Sequence, residues 1–132
     1  MLAIDTNVLV RILTNDDATQ VQRAQAELDR ELDAGRNCLA GNIMLCELVW
    51  VLERLYGYSR QQSQQAIAQI IAFPGLRFES MVVLSSAYRV WVRDGGDFAD
   101  HLLGAQMLAI GCEAVLTFDK RAAKSATHRL IP

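Results

Sequence analysis

Leu2-Ala3-Ile4-Asp5 opens the chain with a short apolar run that stops on an acid. Ala114-Val115-Leu116-Thr117-Phe118-Asp119 does the same near the other end. The first reads as a buried strand and the second as a strand ending at Asp119, both too short and too apolar to alternate between a dry and a wet face. If the two strands are neighbours, Asp5 and Asp119 point into one crevice.

The stretch between them alternates helix and strand signals. Asn7 to Leu13 suits a short helix. Asn15-Asp16-Asp17 is a cap signal ahead of an amphipathic helix from Ala18 to Asp33, which Gly35 ends. Asn37 to Leu39 suits a second strand. Asn42 is a candidate cap for a helix from Ile43 to about Leu55, broken by Gly57. Ser59 caps the next helix, which stops before Pro74-Gly75. Arg77-Phe78-Glu79 suits a third strand and Val83 to Arg93 a helix, stopped by Gly95-Gly96. Asp97 starts another helix, which ends at Gly111. A short helix after Asp119 and an edge strand from His128 to Ile131 complete the reading. Alternation of this kind predicts an α/β fold, a parallel sheet with helices on both faces. Ligands then bind beyond the carboxyl ends of the strands.

A length of 132 residues fits one domain, residues 1–132, and is enough for a core without staples. There is no repeat, low-complexity stretch or linker. The net charge is −2, so the chain does not grip nucleic acid by overall charge; local basic patches or metal ions would have to serve. Cys38, Cys46 and Cys112 form no CxxC and are odd in number, which favours neither a disulfide framework nor a zinc ribbon. They read as buried small hydrophobes in a reducing cytoplasm. The start lacks a basic and apolar leader, and no apolar run is long enough for a membrane span.

Three acids hold positions that are costly unless used. Asp5 and Asp119 end strands. Glu47 is the only charge in Ile43-Met44-Leu45-Cys46-Glu47-Leu48-Val49-Trp50-Val51-Leu52, a segment that predicts a helix buried all round. A lone buried carboxylate needs a metal or a cationic partner; the bland alternative is a salt bridge to an arginine elsewhere. Asp97 fits an N-cap and Asp100 the third helical position, where both could simply stabilise the helix start. Asp100 is the better ligand, one turn inside the helix. Clustered carboxylates raise each other's pKa, and a hard divalent cation, Mg²⁺ or Mn²⁺, relieves that repulsion.

These segments resemble the PIN-domain nucleases, and within them the VapC-like toxins of bacterial toxin–antitoxin pairs. The resemblance is carried by Ile4-Asp5-Thr6-Asn7-Val8-Leu9, by Glu47 in Leu45-Cys46-Glu47-Leu48-Val49-Trp50, by Asp97-Phe98-Ala99-Asp100 and by Thr117-Phe118-Asp119-Lys120. It implies a three-layer α/β/α PIN-like domain with strand order 3-2-1-4-5. It further implies a metal-binding catalytic cluster of Asp5, Glu47, Asp100 and Asp119, with Asp97 an extra acid and Thr6 and Thr117 in support. The implied activity is metal-dependent endoribonuclease cleavage leaving a 5′-phosphate. The implied partners are RNA, a cognate antitoxin protein and a second copy in a homodimer, with no membrane.

Lys120, Arg121, Lys124 and Arg129 follow Asp119 in a stretch without acids, and could reach a phosphate near the metal or simply form a solvated face. Arg11 is a weaker substrate-binding candidate. Trp50 and Trp91 read as core, with a partner surface the alternative. His101 and His128 read as surface or capping residues. Two competing functions remain. One is another Mg²⁺-dependent phosphoryl-transfer domain; a haloacid-dehalogenase-like phosphatase would need an Asp at position 7, which is Asn, and Glu47 fits neither that site nor a receiver domain. The other is a non-catalytic module that binds RNA or protein.

Overall fold

Helix and strand alternate as the apolar spacing predicts. The computed structural model describes all residues, Met1–Pro132. The order is β1 (Leu2–Ala3), α1 (Thr6–Thr14), α2 (Ala18–Asp33), β2 (Cys38–Ala40), α3 (Asn42–Leu55), α4 (Arg60–Ile71), β3 (Leu76–Phe78), α5 (Met81–Asp94), α6 (Phe98–Ala109), β4 (Val115–Thr117), a 3-10 turn (Ala122–Lys124) and β5 (His128–Leu130). The chain divides into two compact units, Met1–Glu79 and Ser80–Pro132. No helix is long and apolar enough to cross a membrane.

In the first unit β2 lies between β1 and β3, and all pairing is parallel. Leu2 and Ala3 stand opposite Cys38 and Leu39, and Ala40 opposite Phe78. The central strand is the dry one: Cys38 and Ala40 are buried, whereas Leu2 and Ala3 are exposed. The expected burial of the first strand is therefore corrected, because within the first unit β1 is the edge of its ladder and pairs with β2 alone. In the second unit β4 and β5 pair in parallel, with Val115 opposite His128. The first unit thus carries the order 3-2-1 and the second the order 4-5.

Local chemistry sets the helix starts. Asp17 accepts from the Gln20 amide at 3.1 Å and starts α2. Ser59 and Gln62 form a reciprocal capping box at α4, which satisfies two otherwise orphaned amides. The expected Asn42 cap is corrected: Gly41 is the cap residue, and Asn42 is the first helical residue, buried, with its amide donating to Glu79 Oε2 at 3.2 Å. The α2–β2 corner is tied by Arg36, which donates to both carboxylate oxygens of Glu31 at 2.8 and 2.9 Å. That contact holds the Glu31 carboxyl below its ordinary range.

The cores follow the stripes. Met44, Leu45, Leu48, Val49 and Leu52 line the buried side of α3, while Ile43, Glu47 and Trp50 share the opposite, exposed side. An α-helix with apolar residues on both sides hides its amphipathicity from a reading of composition. This corrects the expected burial of Glu47 and the core assignment of Trp50, which is 56% exposed. Trp91 is core as expected. His101 and His128 are both buried, against the surface reading, and Cys112 is exposed, against the buried one.

Gly104 of α6 packs directly against Thr127, the residue before β5. A Cβ there would overlap Thr127 Oγ1 and stand 2.6 Å from Thr127 Cβ. Thr127 must therefore move, and it is held by hydrogen bonds to Ser125 and His128. Gly104→Ala is expected to destabilise by about 1–3 kcal/mol despite alanine's better helix propensity. Urea unfolding checks this; a stabilised variant would show that the approach is easily relaxed.

Candidate active site

In the first unit, Asp5 follows β1 and starts α1, its Oδ1 accepting from the Thr6 amide at 2.7 Å. Thr6 is buried, and its hydroxyl donates to Glu47 Oε2 at 3.0 Å. α1 and α3 thereby hold Thr6 and Glu47 together across 41 positions of sequence. Glu47 has no arginine partner: the ion pairs join Arg11–Asp16, Arg30–Glu27, Arg36–Glu31 and Arg93–Asp94. The bland salt-bridge alternative for Glu47 is therefore excluded.

In the second unit, Asp97 is the N-cap of α6, its Oδ1 accepting from the Ala99 amide at 2.9 Å. Asp100 stands half-buried in the first turn of that helix. Burial is the main influence raising its carboxyl above the ordinary range, and the negative charges of Asp97 and Asp119 push the same way. His128 and His101 oppose them. Asp119 follows β4; its amide donates to Thr117 Oγ1 at 2.9 Å, and its Oδ1 accepts from the Arg121 amide at 2.8 Å. Thr117 thus fixes the backbone at Asp119, and Asp119 in turn organises the turn that carries Lys120, Arg121 and Lys124. Those three and Arg129 are exposed and enter no ion pair. Arg11 is different: its guanidinium is engaged by Asp16 at 3.1 Å, Gln20 at 2.7 Å and Tyr56 at 3.2 Å.

Two positioning groups escaped the sequence reading. Trp91 Nε1 donates to the Gly96 carbonyl at 3.2 Å, and His101 Nε2 lies 2.6 Å from the Gly95 carbonyl. A carbonyl only accepts, so Nε2 carries the proton. Gly95 and Gly96 have φ of 71° and 83°, the left-handed region that glycine tolerates best. Together these contacts pin the turn that delivers Asp97 and Asp100. The spacing Trp91…Gly95-Gly96…His101 was the available signal, but it needed the turn geometry to be read.

Carboxylate oxygens suit a hard divalent cation by donor chemistry, and in the second unit the charges of Asp97 and Asp119 act against that of Asp100. The structure joins Thr6 to Glu47 and brings Asp97 and Asp119 within electrostatic reach of Asp100. Nowhere does it gather three or more His, Cys, Asp or Glu side chains into a set able to hold a metal ion.

Parallel strands with alternating helices define an α/β protein. The PIN domain family matches residues 2–127, and the chain belongs to that family. The match spans both units and agrees with a mixed α/β fold of six helices and parallel strands, consistent with three α/β/α layers. PIN domains are generally metal-dependent nucleases and typically bind divalent metals. No curated protein sequence matches the chain.

Proposed function

We propose that this PIN domain is a Mg²⁺- or Mn²⁺-dependent endoribonuclease and the toxin of a toxin–antitoxin pair. Asp5, Glu47, Asp100 and Asp119 are assigned to the metal, with Asp97 as an auxiliary acid. The observation that supports this is placement: Asp5 lies just past β1 and Asp119 just past β4, and Asp100 stands in the first turn of α6, in a chain of the PIN family.

A bound divalent cation supplies an activated water and shields the scissile phosphate. The protein's own part is to hold carboxylates ready. Thr6 orients Glu47 by its hydroxyl, Thr117 fixes the backbone at Asp119, and the Gly95-Gly96 turn presents Asp97 and Asp100. Lys120, Arg121 and Lys124 supply unpaired positive charge beside Asp119, suited to a phosphate backbone. A cognate antitoxin and a homodimer complete the proposal, along with a cytoplasmic setting. The exposed Ile43 and Trp50 on α3 and Phe118 after β4 offer apolar surface for such contacts.

The test is cleavage of labelled single-stranded RNA with Mg²⁺, with Mn²⁺ and with EDTA, beside Asp5→Asn. Cutting that requires metal and is lost in the variant is the expected result. Equal cutting by the variant, or none by the wild type with either ion, would overturn the nuclease assignment and favour a binding module. Co-expression with the adjacent small gene product tests the toxin role, through rescue of growth.

A further inference from the structure

A groove of about 590 Å³ runs between α1 and α2 in the first unit. Its walls include Asn7, Val8 and Arg11 from α1, and Arg23, Glu27 and Arg30 from α2. Three arginines on one groove stand out in a chain of net charge −2. On α2 the spacing 23, 27, 30 puts its charged members on one helical face.

The charges there are not all spent. Glu27, the groove's one acid, is already engaged by Arg30 Nη1 at 2.6 Å. Arg11 uses Nε and Nη1 on Gln20, Asp16 and Tyr56, which fixes the guanidinium and leaves Nη2 available. Arg23 is exposed and enters no ion pair, so it is the surplus positive charge. No aromatic side chain lines the groove, so it is not built to read bases by stacking. Guanidinium groups with open donors above small apolar residues suit phosphates and sugars instead.

The groove also has a direction. It begins at Asn7, two residues beyond Asp5, and continues along α1 to Arg11. At 1.5 Å of rise per residue, Arg11 lies about 9 Å along the axis from Asp5. A strand lying in the groove would run toward the acid end of α1.

We propose that the α1–α2 groove is a backbone subsite for single-stranded RNA, with Arg23 as its free phosphate contact and Arg11 as a fixed one. The proposal rests on the endoribonuclease reading. It adds sequence-independent grip on the substrate away from the acids.

The test measures binding of a fluorescein-labelled single-stranded RNA by anisotropy in EDTA over a series of KCl concentrations. Arg23→Glu is expected to raise Kd about tenfold, and Arg23→Ala to raise it less while lowering the salt slope by about 0.7. Arg60→Glu, an equal charge change at the exposed start of α4 outside the groove, is the control and should leave Kd within about twofold. Unchanged Kd and slope in both Arg23 variants overturn the proposal, as does an equal loss in Arg60→Glu. So does a labelled polyglutamate peptide that binds in an Arg23-dependent manner more tightly than RNA, which would assign the groove to an acidic protein segment. Arg23→Ala keeps the test open if charge reversal prevents folding. Cleavage by the wild type in Mg²⁺ is scored separately. Cutting with Arg23-independent binding overturns the groove alone, and Arg23-dependent binding without cutting overturns the nuclease reading alone.

Discussion

Asp100→Asn is expected to lower metal-dependent RNA cleavage by at least about a hundredfold, since loss of a mere outer partner of a bound metal already costs 10–100-fold. The same variant should be no less stable than the wild type without metal. Both effects have one origin. Asp100 is half-buried and lies in the field of Asp97 and Asp119, so its ionised form is penalised in the folded chain. Its folded pKa is raised above the unfolded value, and the folded state therefore binds the proton more tightly. The sign follows: metal-free stability falls as pH rises from the unfolded pKa through the folded one, and stays lower above it. Asn is isosteric and uncharged, so the variant should lose that pH dependence along with the metal's stabilising effect. Thermal melts at several pH values, with and without Mg²⁺, measure both. A variant that still gains stability from Mg²⁺ as the wild type does would remove Asp100 from the metal set.

Much of the fold was legible because its signals are local. Asp17 and Ser59 announce α2 and α4 through their own side-chain oxygens, and the Ala18–Asp33 helix is found at the bounds its polar periodicity predicts. Gly95-Gly96 stops α5 because the turn needs two positive φ values. Asn42 misled for a physical reason. It is a good capping residue, but Gly41 takes the cap position and the Asn42 side chain is buried inside the first turn.

Burial was less legible than secondary structure. The apolar stretch from Ile43 to Leu52 has enough aliphatic residues to cover a helix on all sides, yet only one side meets the core. Composition cannot distinguish a helix that is buried from one that keeps an apolar outer face for something else. Glu47 therefore owes its place to the Thr6 hydroxyl and not to a dry environment. The site's acids were readable one by one, because ends of strands and first turns of helices are marked in sequence. What holds them was not: the Thr6–Glu47 contact is long-range, and the histidine and tryptophan that pin the Gly95-Gly96 turn act on backbone carbonyls, which leave no trace in residue type.

Trp91→Ala is expected to be the most destabilising single change in the second unit, at about 3–5 kcal/mol. The indole is 1% exposed. Its ring centroid lies 4.8 Å from that of Phe98 and 6.4 Å from that of Tyr88, so it joins α5 to the start of α6. Truncation leaves a large cavity that its two aromatic neighbours cannot close by small shifts, because cores are packed like crystals. The indole also holds the turn through Nε1, and Trp91→Phe separates the two roles. It keeps most of the aromatic packing and removes the donor to Gly96. That carbonyl belongs to an exposed residue and can turn to water, so the stability loss should be smaller than for alanine. Cleavage should nonetheless fall in Trp91→Phe, because the turn that presents Asp97 and Asp100 is then anchored by His101 alone. Urea unfolding orders the stabilities, and cleavage at saturating RNA reads the turn. If Trp91→Phe matched the wild type in cleavage while Trp91→Ala unfolded readily, the indole would be a core residue only, and His101 would be sufficient to set the turn.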